Sequence, residues 1–169
     1  MVDKEIIEEI LNSREERAAR QKRLIEEYNN SLISFTLNIP GTKKDSPIYR
    51  EIHHIGMKKI LDDIEKHAYK ILYSQSYHKN TGSEGFIIVD IDPLELKKMT
   101  LHIEETHDLG RIFDIDVLDN NHRQIGRSDL GVGPRKCLIC SEDAKVCSRS
   151  RRHSIDQLLE KIDELYKGQ

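Results

Sequence analysis

In GRIFDIDV, residues 110–117, two aspartates sit one residue apart inside an otherwise apolar run. Side chains two apart on an extended strand emerge on the same face, so Asp114 and Asp116 are expected to stand side by side. Like charges held that close raise each other's pKa unless a cation, a basic residue or a proton offsets them. Such a pair can hold Mg²⁺ through carboxylate oxygens while substrate phosphates complete the octahedron, the arrangement that phosphoryl and nucleotidyl transfer use. By itself an Asp-x-Asp is weak evidence, and the plainer reading is a strand-end carboxylate paired to Arg111 or Arg127. Asp90, after the apolar run 86–89, is a candidate third carboxylate for the same site.

A second cluster lies downstream in RKCLICSEDAKVCSRSRRH, residues 135–153. Cys137 and Cys140 form a Cys-x2-Cys, Cys147 follows seven residues later, and His153 six after that. These four ligand types could close a tetrahedral Zn²⁺ site. The alternative is a set of reduced cysteines packed under a short helix, which leaves His153 free to serve a substrate. Arg135, Arg149 and Arg151 bracket the thiols, and planar guanidinium groups suit bidentate contact with phosphate oxygens. Between positions 123 and 153 eight Lys/Arg face three Asp/Glu, although the whole chain carries a net charge of −3. A segment of that sign is built to meet an anion. No aromatic residue occurs between Phe113 and Tyr166, which argues against nucleic acid and for a discrete polyphosphate ligand.

The elements that must position these groups follow from periodicity. Residues 1–29 contain no Gly or Pro and keep a helical spacing of apolar residues, with a nearly all-polar middle that could project Arg14, Arg17 and Gln21 toward a ligand. SLISFTLNIPG reads as a strand stopped by Pro40-Gly41, and the loop after it carries Lys43. Residues 48–67 read as a helix kinked or divided near Gly56. KILYSQSY and the run 86–89 are strands, Asp92-Pro93 opens a helix that ends before Gly110, and DNNHRQIG turns into a short strand. A helix over 154–167, capped by Ser154, closes the chain. The expected architecture is α+β: one domain over residues 1–169, with a mixed sheet of about four or five strands, packed helices, a basic Cys/Arg motif over 127–153, and a nucleotidyltransferase-like character.

With 37% hydrophobic and 34% charged residues and no Trp, the composition fits a soluble, heavily charged protein and not a disordered or membrane-spanning one. Three cysteines within eleven residues fit reduced thiols or metal ligands better than a disulfide framework. The acidic start MVDKEIIEEI lacks the features of a secretory signal, so a cytoplasmic location is expected.

The segments REERAARQ, TLNIPGTKK, TGSEG, EETHDLGRIFDIDV and GPRKCLICSEDAKVCSRSRRH occur in the order found in the citrate lyase holo-[acyl-carrier protein] synthases. The chain resembles that family from about residue 14 to residue 153, with Ser83 standing where the family pattern has Pro. The resemblance implies a transferase that moves a phosphoribosyl-dephospho-CoA group from 2′-(5″-triphosphoribosyl)-3′-dephospho-CoA to a serine on the acyl-carrier (gamma) subunit of citrate lyase, releasing pyrophosphate. On that reading Asp114 and Asp116 hold Mg²⁺. Arg111, Arg127, Arg135, Arg149 and Arg151, with His153 and Lys43, meet the triphosphate substrate. His107 or Glu105 accepts the serine proton. Two other readings compete: attachment of the related prosthetic group of malonate decarboxylase, and a non-enzymatic, zinc-stabilised basic module that binds an acidic carrier protein or RNA.

Overall fold

The computed structural model describes residues 2–169. Five strands form one sheet: β1 (Ser31–Leu37), β2 (Lys70–Lys79), β3 (Gly82–Asp90), β4 (Phe113–Leu118) and β5 (Gln124–Ile125), in the order β2-β3-β1-β4-β5. Every pairing is antiparallel, so the expected mixed sheet is corrected. The reason is connectivity: β2 and β3 join through a tight turn, β4 and β5 through another, and no helix crosses over between parallel neighbours. The helices are α1 (Val2–Tyr28), α2 (Pro47–Lys66), α3 (Pro93–Thr106), α4 (Ala144–Ser150) and α5 (Ile155–Lys167). A 3-10 turn at Arg127–Leu130 links β5 to the cysteine segment.

Alternation along the strands divides the sheet into two faces. On one, Ile33, Phe35, Ile87, Val89, Phe113, Ile115 and Val117 pack against Ile52, Ile60 and Ile64 of α2, Leu96 and Ile103 of α3, and Ile162 of α5. Phe35, Phe86 and Phe113 are fully buried, each contributing roughly 1.5–3 kcal/mol by leaving water. The opposite face is divided along its length. Its lower half, Leu32, Phe86 and Ile88, is covered by Leu24, Ile25 and Tyr28 at the end of α1. Its upper half is polar, carrying Ser34, Thr36, Asp114 and Asp116.

The expected break in α2 at Gly56 does not occur; the helix is continuous over Pro47–Lys66. Gly56 is there for packing, since a Cβ at that position would lie 2.4 Å from Phe35 Cζ and 3.0 Å from Phe113 Cε1. The expected caps are present: Asp92 accepts from Leu94 N and Glu95 N, and Ser154 Oγ accepts from Gln157 N.

Candidate active site

Asp114 and Asp116 occupy the polar half of the sheet, opposite Thr36 and Ser34 of β1 respectively. The polar middle of α1 lies over them, and the register explains its composition: a helix packed on carboxylates and hydroxyls has no use for an apolar stripe. Between helix and sheet is a cleft of about 410 Å³. Arg14, Arg17 and Gln21 of α1 line one wall, and Lys44, Thr81 and Glu84 complete it. Gln21 Nε2 donates to Ser34 Oγ at 2.9 Å, fixing the helix to the floor.

Four of the five family-like segments of the sequence therefore meet at one place. REERAARQ supplies the helical wall, TLNIPGTKK the strand and loop, TGSEG the start of β3, and FDIDV the carboxylates.

Asp116 is half-buried, and burial together with the neighbouring Asp114 charge raises its pKa from an ordinary 3.8 to about 6. Gln124 Nε2 donates to its Oδ1 at 2.7 Å. Asp114 is more open, with Arg135 Nη1 3.7 Å from its Oδ1. The pair is thus only partly compensated by the protein's own cations. Two carboxylates on one strand face, in a cleft walled by arginine and lysine, form an oxygen donor set that could hold a hard divalent cation.

β4 is held by side chains that act as a missing strand. β5 pairs only with Val117 and Leu118, leaving the outer edge of the aspartate-bearing half open. Buried Lys97 of α3 donates to Ile115 O at 3.0 Å, Ile115 N donates to Glu104 Oε1 at 3.0 Å, and Arg135 Nη2 donates to Phe113 O. Arg127 Nη2 reaches Glu104 Oε2 at 3.2 Å and Arg127 Nη1 reaches Glu105 Oε1 at 3.1 Å.

A second cleft, of about 780 Å³, adjoins the first through the shared residues Asn38, Ile39 and Lys44. Arg111, Arg135, Arg151 and His153 line it, with Leu138 and Leu158 as an apolar wall. Here Cys137, Cys140, Cys147 and His153 bring their ligand atoms within 4.8 Å of one another, a set that could hold a metal such as zinc. Burial works against ionisation of Cys137, but backbone N–H groups of Cys140 and Ile139 directed at its sulfur hold its pKa below the usual value.

Other expected site residues lie elsewhere. His107, the C-cap of α3, accepts from Leu109 N at Nδ1 and packs its ring 5.1 Å from that of Phe113. Phe113 points to the face opposite Asp114, so His107 is on the wrong side of the sheet to reach a group held by the aspartates. Burial lowers its pKa. Glu105 is engaged by Arg127. Arg149 and Lys43 are exposed and line neither cleft. Asp90 ends β3 opposite Lys70, at the far end of the strand from Glu84 and the cleft.

Lys44 and Glu84 of the cleft went unremarked in the sequence, as did Lys97 and Glu104, which hold β4. Lys44, adjacent to Lys43, borders both clefts; burial and then the Arg14 charge lower its pKa. Glu84, only 3% exposed, ties α1 to the sheet: Arg17 Nε lies 3.5 Å from its Oε1 and Lys79 Nζ 3.4 Å from its Oε2. The available signal was a carboxylate directly before the apolar run GFIIV, where burial demands a partner.

Residues 5–169 match a family described as apo-citrate lyase phosphoribosyl-dephospho-CoA transferase. A probable apo-citrate lyase phosphoribosyl-dephospho-CoA transferase of Vibrio cholerae serotype O1 (strain M66-2) is 34% identical over 160 residues, covering 94% of this chain and 90% of that protein. The apo-citrate lyase phosphoribosyl-dephospho-CoA transferase of Escherichia coli O1:K1 / APEC is 35% identical over 159 residues, covering 94% and 87%. The one from Shigella boydii serotype 18 (strain CDC 3083-94 / BS512) matches to the same extent.

Proposed function

The chain belongs to the apo-citrate lyase phosphoribosyl-dephospho-CoA transferase family and is an enzyme of that class, and from this premise we propose a reaction and a division of labour among its residues. The protein installs the prosthetic group on apo-citrate lyase. Its donor is 2′-(5″-triphosphoribosyl)-3′-dephospho-CoA, and the acceptor is a serine hydroxyl of the acyl-carrier (gamma) subunit. A bond forms between the serine oxygen and the phosphorus nearest the ribose, the bond from that phosphorus to the pyrophosphate oxygen breaks, and the serine proton passes to solvent.

The observation that carries this reading is the placement of Asp114 and Asp116 side by side on the floor of a cleft walled by Arg14, Arg17 and Lys44. Asp114 and Asp116 would hold Mg²⁺, which when bound neutralises charge on the attacked phosphate and the departing pyrophosphate. Arg14, Lys44 and Arg135 would hold triphosphate oxygens by charge-assisted hydrogen bonds. Arg111 and Arg151 line the adjoining cleft, whose apolar wall at Leu138 and Leu158 suits the rest of the donor. Lys97, Glu104 and Arg127 serve the reaction indirectly, by holding β4 straight.

The test is mass spectrometry of apo-carrier incubated with the protein, the triphosphate donor and Mg²⁺. A mass gain equal to phosphoribosyl-dephospho-CoA is expected. Unmodified carrier, with folded enzyme and intact donor in the tube, would refute the proposal.

A further inference from the structure

We infer that Cys137, Cys140, Cys147 and His153 form a structural zinc site that braces the segment carrying Arg135 and Arg151. The assignment rests on ligand geometry and does not depend on the transfer reaction.

Zn–S bonds of about 2.3 Å and Zn–N bonds of about 2.0 Å in a tetrahedron place neighbouring donor atoms roughly 3.5–3.8 Å apart. Cys140 Sγ lies 3.5 Å from Cys147 Sγ, and His153 Nε2 lies 3.4 Å from Cys140 Sγ. Ile139 N is directed at Cys137 Sγ at 3.5 Å, as the backbone of a Cys-x2-Cys turn is when its thiolates face an ion. A disulfide between two of these cysteines would leave the third thiol and the imidazole converging on nothing. Four protein donors complete the coordination shell, so no position remains for water or substrate, which marks the site as structural.

The surrounding chain shows what the ion would do. From the 3-10 turn to α5, regular structure amounts to one isolated bridge, Lys136 with Asp143, and the seven-residue α4. That is little to hold a segment whose Arg135 must reach Phe113 O and whose Arg151 borders the second cleft. The ligands come from the turn at Cys137 and Cys140, from the middle of α4, and from His153 next to the Ser154 cap of α5. One ion therefore joins three pieces of backbone at the wall of that cleft.

The experiment is elemental analysis of the full chain, purified without added metal and dialysed against a mild chelator, alongside the single variants Cys140→Ala and Cys147→Ala. About one zinc per wild-type chain, falling at least tenfold in both variants, is expected. Because either variant could fail to fold, wild-type protein stripped under denaturing conditions is also refolded with Co²⁺. It should show the intense d–d absorption of tetrahedral cobalt and thiolate-to-cobalt charge transfer. Wild-type protein without stoichiometric zinc and without that cobalt spectrum overturns the assignment, as does full zinc in both folded variants.

Discussion

Arg135 Nη1 lies 3.7 Å from Asp114 Oδ1, and Arg135 Nη2 donates to Phe113 O, the carbonyl of the residue immediately before that aspartate. The guanidinium thus grips β4 by its backbone while facing a carboxylate on its polar face, and it lines the second cleft as well. Arg135→Ala is expected to lower kcat/KM about 10²–10³-fold, the usual cost of removing one preorganised charge donor from a developing anion. Arg135→Lys should restore only part of this, since an ammonium cannot span both contacts. Steady-state kinetics with the triphosphate donor would show it, and near-wild-type rates for Arg135→Ala would rule the role out.

Asp114→Asn and Asp116→Asn keep the shape of the floor and remove its charge. Transfer should fall by at least about 10³-fold in each. Folding stability should be unchanged or higher, because a like-charge pair has been relieved. Thermal melts run beside single-turnover assays separate the two effects; a loss of activity that tracks a loss of fold would contradict the assignment.

The protonation of Asp116 carries a definite sign. Its carboxyl titrates near 6 in the folded chain against an ordinary 3.8, so between those values the folded state holds a proton that the unfolded state has released. Stability of the metal-free protein should therefore decline as pH rises through that window, and Asp116→Asn should remove that part of the slope. Mg²⁺ competes with the same proton, so its apparent affinity should rise with pH up to about 6 and then level off. Titration calorimetry at a series of pH values reads this directly. A pH-independent Mg²⁺ affinity would argue against Asp116 as a ligand.

Buried His53 works in the opposite direction. Burial lowers its pKa from 6.5 to about 4, so stability should be lost as pH falls through that range, where only the unfolded chain takes up the proton. Melting curves of His53→Gln across the same pH series should show a weaker loss on the acid side than wild type. An unchanged acid limb would show that another group is responsible.

Gly56→Ala sets helix propensity against packing. A methyl in mid-helix normally adds up to about 1 kcal/mol, but here it would meet the buried rings of Phe35 and Phe113. Overpacking should dominate, with a net loss of about 1–3 kcal/mol in denaturant unfolding. A gain in stability would mean that the two rings can move aside.

Much of the positioning was legible from local chemistry. Asp92 and Ser154 were readable as caps because capping depends on one side chain and the next turn. Asp114 and Asp116 were readable as neighbours because strand alternation is local. The polar middle of α1 was ambiguous until Ser34, Thr36 and the two aspartates were seen beneath it, a fact set by pairing between distant strands. His107 misled for the same reason: proximity in sequence to Asp114 said nothing about which face of the sheet it reaches. Gly56 reads as a helix breaker in one dimension and as a contact surface in three. The cysteine spacing left a zinc ligand set and packed reduced thiols both open, and convergence with His153 depended on the turn after α4, where Arg151 takes a left-handed conformation.

The side-chain seal along β4 has a further consequence for how the protein behaves among copies of itself. A strand with its outer carbonyls and amides unpaired is a template onto which a second chain can add. Lys97, Glu104 and Arg135 occupy those groups from within the molecule, so the rim offers an incoming strand nothing to bind. The contacts that keep the aspartates in place therefore also keep the protein from polymerising along that border.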